Sequence, residues 1–519
     1  VNDLKAYANA FYGLIPGGVS VLDDTDSDIQ VPNNINSFLW GQYVVPTEGG
    51  VWQKSNWQNI RNINYFMTHY QSVQAAEADV NIYVAEMRFF RALEYFNKIQ
   101  LLGDVPWLEV DLNVDSEELY GPKMKRNQVF QKIIEDLDFA IQWLPEAGSE
   151  EANRLNKDIA RHVKARFCLN EGTHYKYHDE LEYASEAEKW LQMAATESDK
   201  LITSGRYEIY NTGHPQEDYF NMYRIDDKSD LKEAVLYVDY KTNILEHNMA
   251  AAGREAGCGF SKSFVESFLC SDGLPISLSN KYLGDETMRK ETANRDPRLK
   301  QLILTNDFPT NVTDDLKDST FVVNEDEFIT QHCFTGYRPI KGFNPIYSQA
   351  LYMKSSFDGI AYRYAETLLI NAEAKAELNT ITNADLDRTV NQLRDRVGMP
   401  HLTVNVGFTD PKWPDWGYSL SPVLQEIRRE RCIELAGEGF RFNDLKRWKA
   451  GKLLNNVLTY VGKRKPDGNL AIVYPNYTNP DLSYQAGKSR TWEDKMYLYP
   501  IPTGELQRNP QLLPQNPGW

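Results

Sequence analysis

The sequence predicts a mainly α-helical protein in which paired helices carry long loops and a few short strands. Three observations support this fold class: a helical apolar periodicity on both sides of the centre, a loop-rich composition between them, and the overall balance of residues. Hydrophobic residues make up 42% and charged residues 25% of the chain, as in ordinary folded water-soluble proteins. A chain of 519 residues is long enough for one large domain or for two or three small ones.

The first set of helices is predicted between about residues 52 and 205. In "NIYVAEMRFFRALEYFNKI" apolar side chains recur at three- and four-residue steps, and Gly103 follows as a helix breaker. The next helix, "NQVFQKIIEDLDFAIQWLP", is predicted to begin at an asparagine cap, Asn127. A later helix in the same style is predicted to end at Gly205.

A second set of helices is predicted between about residues 359 and 450, including "AYRYAETLLINAEAKAELN" and "LDRTVNQLRDRVGMP". Helices of roughly 15 to 20 residues, joined in pairs by short connections, are typical of tetratricopeptide-like packing. The strict repeat signature is absent, so we predict a degenerate version. The remaining regions, 1–51, 206–358 and 451–519, are predicted to be loop-rich, with small strands at pieces such as "EAVLYVDY" and "TFVVNE".

Composition excludes some classes of function. The net charge is −17 and no basic tract occurs, which argues against nucleic-acid binding because phosphate contacts need clustered Lys and Arg. No run approaches the roughly 18 apolar residues of a membrane span. The five cysteines show no CxxC spacing, so we expect buried free thiols, while a bond between Cys258 and Cys270 remains an alternative.

Residues 426–448, "EIRRERCIELAGEGFRFNDLKRW", form an unusually charged segment. On a helix, Glu426 faces Arg429 and Arg431 faces Glu434, which predicts two ion pairs at three-residue spacing. Arg431 shares a face with apolar side chains, so we expect it to be partly buried and paired. We interpret this segment as scaffold rather than as a binding surface.

Two other charges of this segment, Arg428 and Glu430, have no local partner. They are therefore expected to use solvent or another helix. The glycines that follow end the helix, and Asn443 or Asp444 is predicted to cap the next one.

The charged segment resembles the most recognisable stretch of the SusD/RagB family, outer-membrane nutrient-binding lipoproteins of Bacteroidetes. Further matches to this family occur in order between Ala85 and Trp519: "AEMRFFRALEYFNKIQLLGDVPW", "FSKSFVESFLCSDGLPI", "NRDPRL", "YRYAETLLINAEAKAEL", "NQLRDRVGMP" and "YPIPTGELQRNPQLLPQNPGW".

The resemblance implies a single SusD-like domain over residues 1–519, with degenerate tetratricopeptide-like pairs and ligand-side loops on the other face. It implies no catalysis, and it implies an oligosaccharide ligand that is handed to a SusC-like TonB-dependent transporter. Some members of the family bind peptides instead. It also implies that the protein lies on the cell-surface side of the outer membrane. A lipid on an N-terminal cysteine would then be its only contact with the membrane.

Sugar recognition needs flat apolar faces that stack on sugar rings and planar polar groups that read hydroxyls. We therefore looked for Tyr, Trp, Asp, Asn and Arg in loops, because the family's shared motifs do not include its ligand contacts. The predicted ligand-binding residues are Asp24, Asp26, Asn33 and Trp40 in the N-terminal loop, Tyr337, Arg338 and Tyr347 in the central region, and Trp413 and Trp416 before the charged segment.

Protein interaction alone remains an alternative for a tetratricopeptide-like scaffold, since such scaffolds often bind partner proteins. Two further alternatives concern a metal and catalysis. Asp24, Asp26 and Asp28 have the i, i+2, i+4 spacing of calcium ligands, but Ile29 replaces the usual glycine and the usual final glutamate is also missing, so no metal or cofactor is predicted. A glycoside hydrolase would need two suitably spaced carboxylates, which the many acidic residues do not exclude. No HExxH, GxSxG, GxGxxG or Walker motif occurs, and we do not expect an enzyme.

Overall fold

Long helices form the framework of this computed structural model, which describes residues 1–18, 20, 22–33, 36–149, 151–472 and 490–519. The N-terminal helices are α1 (Asn2–Asn9), α2 (Gln58–His69), α3 (Glu77–Leu102), α4 (Arg126–Trp143), α5 (Lys157–Tyr177) and α6 (Ala187–Ser204). The central helices are short: α7 (Asp218–Asn221), α8 (Met249–Arg254), α9 (Lys262–Ser267), α10 (Met288–Thr292) and α11 (Arg298–Leu302). The later helices are α12 (Tyr364–Glu377), α13 (Asn383–Arg388), α14 (Val390–Arg396), α15 (Pro422–Glu434) and α16 (Arg441–Arg447), followed by a short helix at Thr503–Arg508.

The helix ends show which capping predictions hold. Gly103 and Gly205 follow α3 and α6 with φ of 74° and 67°, a left-handed conformation that glycine adopts without steric cost, as predicted. The Asn127 cap is wrong, because α4 already begins at Arg126. Asn127 is the second residue of α4, and its side-chain amide instead donates a hydrogen bond to Glu186 at 2.8 Å.

The helices pack as neighbouring pairs around one large core. Helix α3 packs on α4 and α5 on α6, and α12 packs against α5, α6 and α15. Gly172 lets α5 approach α6 closely, because a Cβ atom at this position would lie 2.9 Å from the backbone nitrogen of Leu191. The core between the helices contains fully buried side chains such as Phe89, Tyr95 and Leu368. This confirms the predicted fold class.

The described residues form four small antiparallel two-stranded sheets. Their strands are β1 (Gln30–Pro32), β2 (Ala234–Val238), β3 (Cys258–Phe260), β4 (Pro309–Val312), β5 (Ser319–Phe321), β6 (Gly359–Arg363), β7 (Val461–Arg464) and β8 (Leu470–Ile472). The pairs are β1 with β3, β2 with β6, β4 with β5 and β7 with β8. The first two pairs join distant parts of the chain, so β1 fixes the N-terminal loop against the central region. Part of the predicted loop-rich region 451–519, residues 473–489, lies outside the described residues.

The charged segment is buried, and its ion pairs agree only partly with the prediction. Arg429 and Glu426 form the predicted pair at 3.2 Å. The predicted pair between Arg431 and Glu434 is wrong: Arg431 is buried as expected, but its Nε donates to Asp444 at 2.8 Å. Glu434 instead accepts hydrogen bonds from arginines of three other elements, at 3.0 Å from Arg298, 2.6 Å from Arg363 and 2.5 Å from Arg396.

The remaining charges of this segment also find partners on other helices. Arg428 donates to Glu377 of α12 at 2.9 Å, and Glu430 accepts from Arg394 of α14 at 3.0 Å, as expected. The predicted Asn443 or Asp444 cap is wrong, because both residues lie inside α16. The segment therefore joins several helices through buried, paired charges.

The remaining predictions concern membranes, thiols and metals. None of the described helices combines the length and hydrophobicity needed to cross a lipid bilayer. All five cysteines are free thiols, so the alternative Cys258–Cys270 bond is not formed. In the described ranges, no three His, Cys, Asp or Glu side chains converge as a metal site requires.

Candidate functional site

A cleft of about 620 Å³ lies beside α15. One wall is the loop of residues 408–418, which carries both tryptophans predicted there and is called the tryptophan loop below. The other walls come from α9, from the face of α15 that carries Gln425 and Arg429, and from residues 449–459. Asp28 and Ile29 of the N-terminal loop complete the lining.

The two tryptophans are held in fixed orientations. The Nε1 of Trp413, which is half-buried, donates to Glu426 at 2.7 Å, and the Nε1 of Trp416 donates to Gln425 at 2.7 Å. Trp416 is only 6% exposed and packs edge-on against Trp448, with ring centroids 5.4 Å apart. Because the indole N–H of Trp413 already has a partner, this half-buried ring offers a ligand its apolar surface. Trp416 also lines the cleft, but it is nearly buried and mainly supports the wall.

The guanidinium groups of α15 stiffen the wall behind the tryptophans. Arg428 is 1% exposed, and its guanidinium carbon lies 4.8 Å from the centre of the Trp416 ring. Arg429 donates to Asp410 at 2.6 Å, which fixes the start of the tryptophan loop against the helix. This arrangement positions the site before any ligand arrives, which lowers the entropic cost of binding.

Burial shifts the pKa of two groups on α15. Burial raises the pKa of the Cys432 thiol to about 12, so it stays protonated and is a poor nucleophile. Burial also raises the pKa of Glu426, against the opposing effect of Arg429, while the indole of Trp413 occupies one of its oxygens. The carboxylate of Asp28 accepts two hydrogen bonds from Arg441, at 2.7 and 2.8 Å.

Of the predicted ligand-binding residues, only Trp413 and Trp416 line this cleft. Three others, Asp24, Tyr337 and Trp40, are inside the protein, which corrects their prediction. The Asp24 carboxylate is 1% exposed and accepts from the backbone N–H groups of Gly437 at 2.6 Å and Arg441 at 3.1 Å. Burial raises the pKa of Asp24 to about 7. Asp24 thus satisfies backbone donors at the start of α16 and is not available to a ligand.

Tyr337 is fully buried, and its hydroxyl donates to Glu291 at 2.8 Å. Trp40 is 7% exposed and packs edge-on against Tyr460, at 5.5 Å between ring centroids. Both rings therefore fill the interior of the protein. Trp40 does not line the cleft.

The other predicted residues lie outside the cleft lining and remain predictions. Asp26 accepts from Asn36 at 2.5 Å, and Asn33 donates to the backbone oxygen of Gln331 at 2.7 Å. Arg338 is half-buried. Tyr347 is 49% exposed, which makes it the most accessible of the predicted aromatic residues.

Sequence reasoning missed the helical wall of the cleft. Gln425, Arg428, Arg429 and Cys432 stand at i, i+3, i+4 and i+7, so they share one face of α15. This spacing is the sequence feature from which the helical wall could have been predicted. The interpretation of the charged segment as scaffold is therefore incomplete, because Arg428, Arg429 and Cys432 also line the cleft.

Comparison with known proteins identifies the family. The SusD family model matches residues 202–519 of the chain. The chain belongs to the SusD family. It is 25% identical over 456 residues to SusD-like protein P2 of Formosa agariphila, covering 85% of this chain and 75% of that protein.

Solved structures show the SusD-like fold over the whole chain. A SusD-like protein of Bacteroides fragilis matches with a TM-score of 0.75 and 24% identity, covering 99% of this chain and 96% of that one. A SusD-like carbohydrate-binding protein of the same organism matches with a TM-score of 0.72 and 20% identity, covering 99% of both chains. At these identities the likeness concerns the fold.

Proposed function

We propose that this SusD-family protein binds a glycan in the cleft beside α15 without altering it chemically. In this proposal the protein sits on the cell-surface side of the outer membrane, held by an N-terminal lipid, and passes its ligand to a SusC-like TonB-dependent transporter. The observation that carries the proposal is the oriented, half-buried indole of Trp413 on the wall of a 620 Å³ cleft that Trp416 also lines.

The chemistry of the cleft supports binding of a polyhydroxylated ring. The half-buried ring of Trp413 supplies apolar surface, and the amides of Gln425 and Asn456 line the same space, so stacking and hydrogen bonding are both available. Three of the carboxylates in the lining are already paired with cations. A glycosidase needs one carboxyl that is protonated and a second that is free to attack or to activate water, so this pairing favours passive capture.

Isothermal titration with a panel of neutral oligosaccharides, acidic oligosaccharides and peptides tests the proposal. We expect saturable binding of at least one oligosaccharide, no release of shorter products, and a loss of about 2 kcal/mol, or about 30-fold, in Trp413→Ala, as for a buried aromatic contact. Binding of peptides alone would support the peptide-binding alternative. Release of products would indicate an enzyme.

Trp107→Ala is the matched control. Trp107 is also half-buried, and its Nε1 also donates to a glutamate, Glu109 at 2.7 Å, but it does not line the cleft. Glycan affinity should be unchanged in this variant. Equal affinities of the two variants for the glycan would contradict a binding role for the tryptophan loop.

A further inference from the structure

The cleft has the opposite charge balance to the whole chain. The chain carries 73 Asp and Glu against 56 Lys and Arg. The cleft lining carries more cations than carboxylates. Its cations are Lys412, Arg428, Arg429, Arg441, Lys449 and Lys452, and its carboxylates are Asp28, Glu266, Asp410 and Asp415. Two of these cations also pair with carboxylates outside the lining, Arg428 with Glu377 and Lys449 with Asp179 and Glu180. The cations that an anion can reach are therefore the exposed lysines.

Most of the carboxylates in the lining are already neutralised by a cation of the same lining. Only Asp415 has no cation within 4 Å among the described residues, and its Oδ1 accepts from the backbone N–H of Gly417. The pairs are Asp28 with Arg441 at 2.7 Å, Asp410 with Arg429 at 2.6 Å and Glu266 with Lys412 at 3.0 Å.

The lysines of the cleft are more accessible than its arginines. Lys452 is exposed, and within the described ranges no carboxylate oxygen lies within 4 Å of its Nζ. Lys449 pairs with Asp179 at 3.1 Å and Glu180 at 2.6 Å, and both carboxylates lie outside the cleft lining. The side chain of Lys412 is 52% exposed although it is paired. Accessible ammonium groups therefore belong to two walls of the cleft, Lys412 in the tryptophan loop and Lys452 in residues 449–459.

We infer that the cleft selects glycans that carry carboxylate or sulfate groups. The inference rests on the proposed function and specifies its ligand class. A sugar ring stacks on the indole of Trp413 while its anionic substituent pairs with an accessible ammonium, chiefly that of Lys452. A neutral ring of the same shape stacks on the indole but forms no ion pair with the ammonium.

Matched pairs of ligands separate charge from shape. One pair is a uronic-acid oligosaccharide and its carboxyl-reduced form, in which each carboxylate has become a CH₂OH group. The other is a sulfated oligosaccharide and its desulfated form. By titration in about 0.1 M NaCl we expect the anionic member of at least one pair to bind roughly 10-fold tighter, and the preference to shrink in about 1 M NaCl, where the Debye length falls from about 10 to about 3 Å.

The variant Lys452→Gln tests whether the preference for anionic ligands arises in the cleft. We expect it to weaken binding of the anionic member about 2- to 5-fold, the range of an exposed ion pair, and to leave the neutral member unchanged. The control is Lys54→Gln, because Lys54 is also exposed, lies outside the cleft lining and has no carboxylate within 4 Å in the described part of the chain. Equal effects of the two substitutions would overturn a role for the cleft lysine.

The ligand pairs also distinguish failure of this inference from failure of the proposed function. Equal or tighter binding of the neutral members would overturn the inference and leave glycan binding intact. If neither member of any pair bound while a neutral oligosaccharide of the panel did, the inference alone would fail. If no oligosaccharide bound at all, the proposed function would fail with it.

Discussion

At the scale of single residues, the sequence indicates which charges need partners but not which partners they find. Arg431 has a suitable carboxylate three residues away in Glu434, yet it pairs with Asp444. Local spacing supplies candidate pairs, and burial then selects among all carboxylates that the fold brings near. Asp24 shows the same limit, since its carboxylate meets a backbone N–H 413 positions away, at Gly437.

Lys446 gives a prediction at this scale. Its Nζ donates to the backbone oxygen of Gln100 at 2.7 Å, and burial, followed by the charge of Arg126, lowers its pKa to about 7. Between pH 7 and about 10 the unfolded chain therefore binds more protons at this lysine than the folded protein does. The contribution of Lys446 to the free energy of unfolding must rise with pH in this window.

Lys446→Met removes this titration. The free energy of unfolding of the wild type minus that of the variant should increase by up to about 1.4 kcal/mol per pH unit from pH 7 upward. Denaturant titrations of both proteins at pH 7, 8 and 9 measure the difference. A constant difference across this range would show that the ammonium is not desolvated in the folded protein.

At the scale of elements, apolar periodicity located the long helices because each buries one face in a shared core. It placed their ends less well. Asn127 looks like a cap, yet the chain is already helical one residue earlier, and the amide bonds to Glu186 from another part of the chain. The distance between two packed helices likewise cannot be predicted from one sequence, because it depends on which side chain of the other helix lies opposite each residue.

Gly172 sets such an approach. A methyl group at this position would lie 2.9 Å from both the backbone nitrogen and Cγ of Leu191, so α5 and α6 must move apart to accept it. We expect Gly172→Ala to lower the free energy of unfolding by about 1 to 3 kcal/mol, the cost of overpacking, despite the better helix propensity of alanine.

Gly13→Ala is the control for this substitution, because in the described part of the chain no atom beyond Gly13 and its two chain neighbours lies within 4 Å of the added Cβ. Its effect should stay within about 0.5 kcal/mol. Urea unfolding of the two variants gives the comparison. Equal stabilities would mean that the helices are less tightly packed than the structure shows.

At the scale of the whole molecule, the fold was predictable and the site only partly so. The tryptophan loop was found because Trp413 and Trp416 stand among prolines, outside any helical stripe. The cleft itself joins parts of the chain far apart in sequence, from Asp28 to Thr459, and this assembly leaves no mark on any single segment. The predicted single domain over residues 1–519 stays a prediction, as does the transfer of ligand to a transporter.

The central claim is passive capture of a glycan in the cleft beside α15. The crystal structure of the protein with an oligosaccharide that it binds in solution tests this most directly. We predict an intact oligosaccharide in the cleft, with one ring lying against Trp413. An oligosaccharide bound elsewhere, for example against Tyr347, or found cleaved in the crystal, would contradict the account.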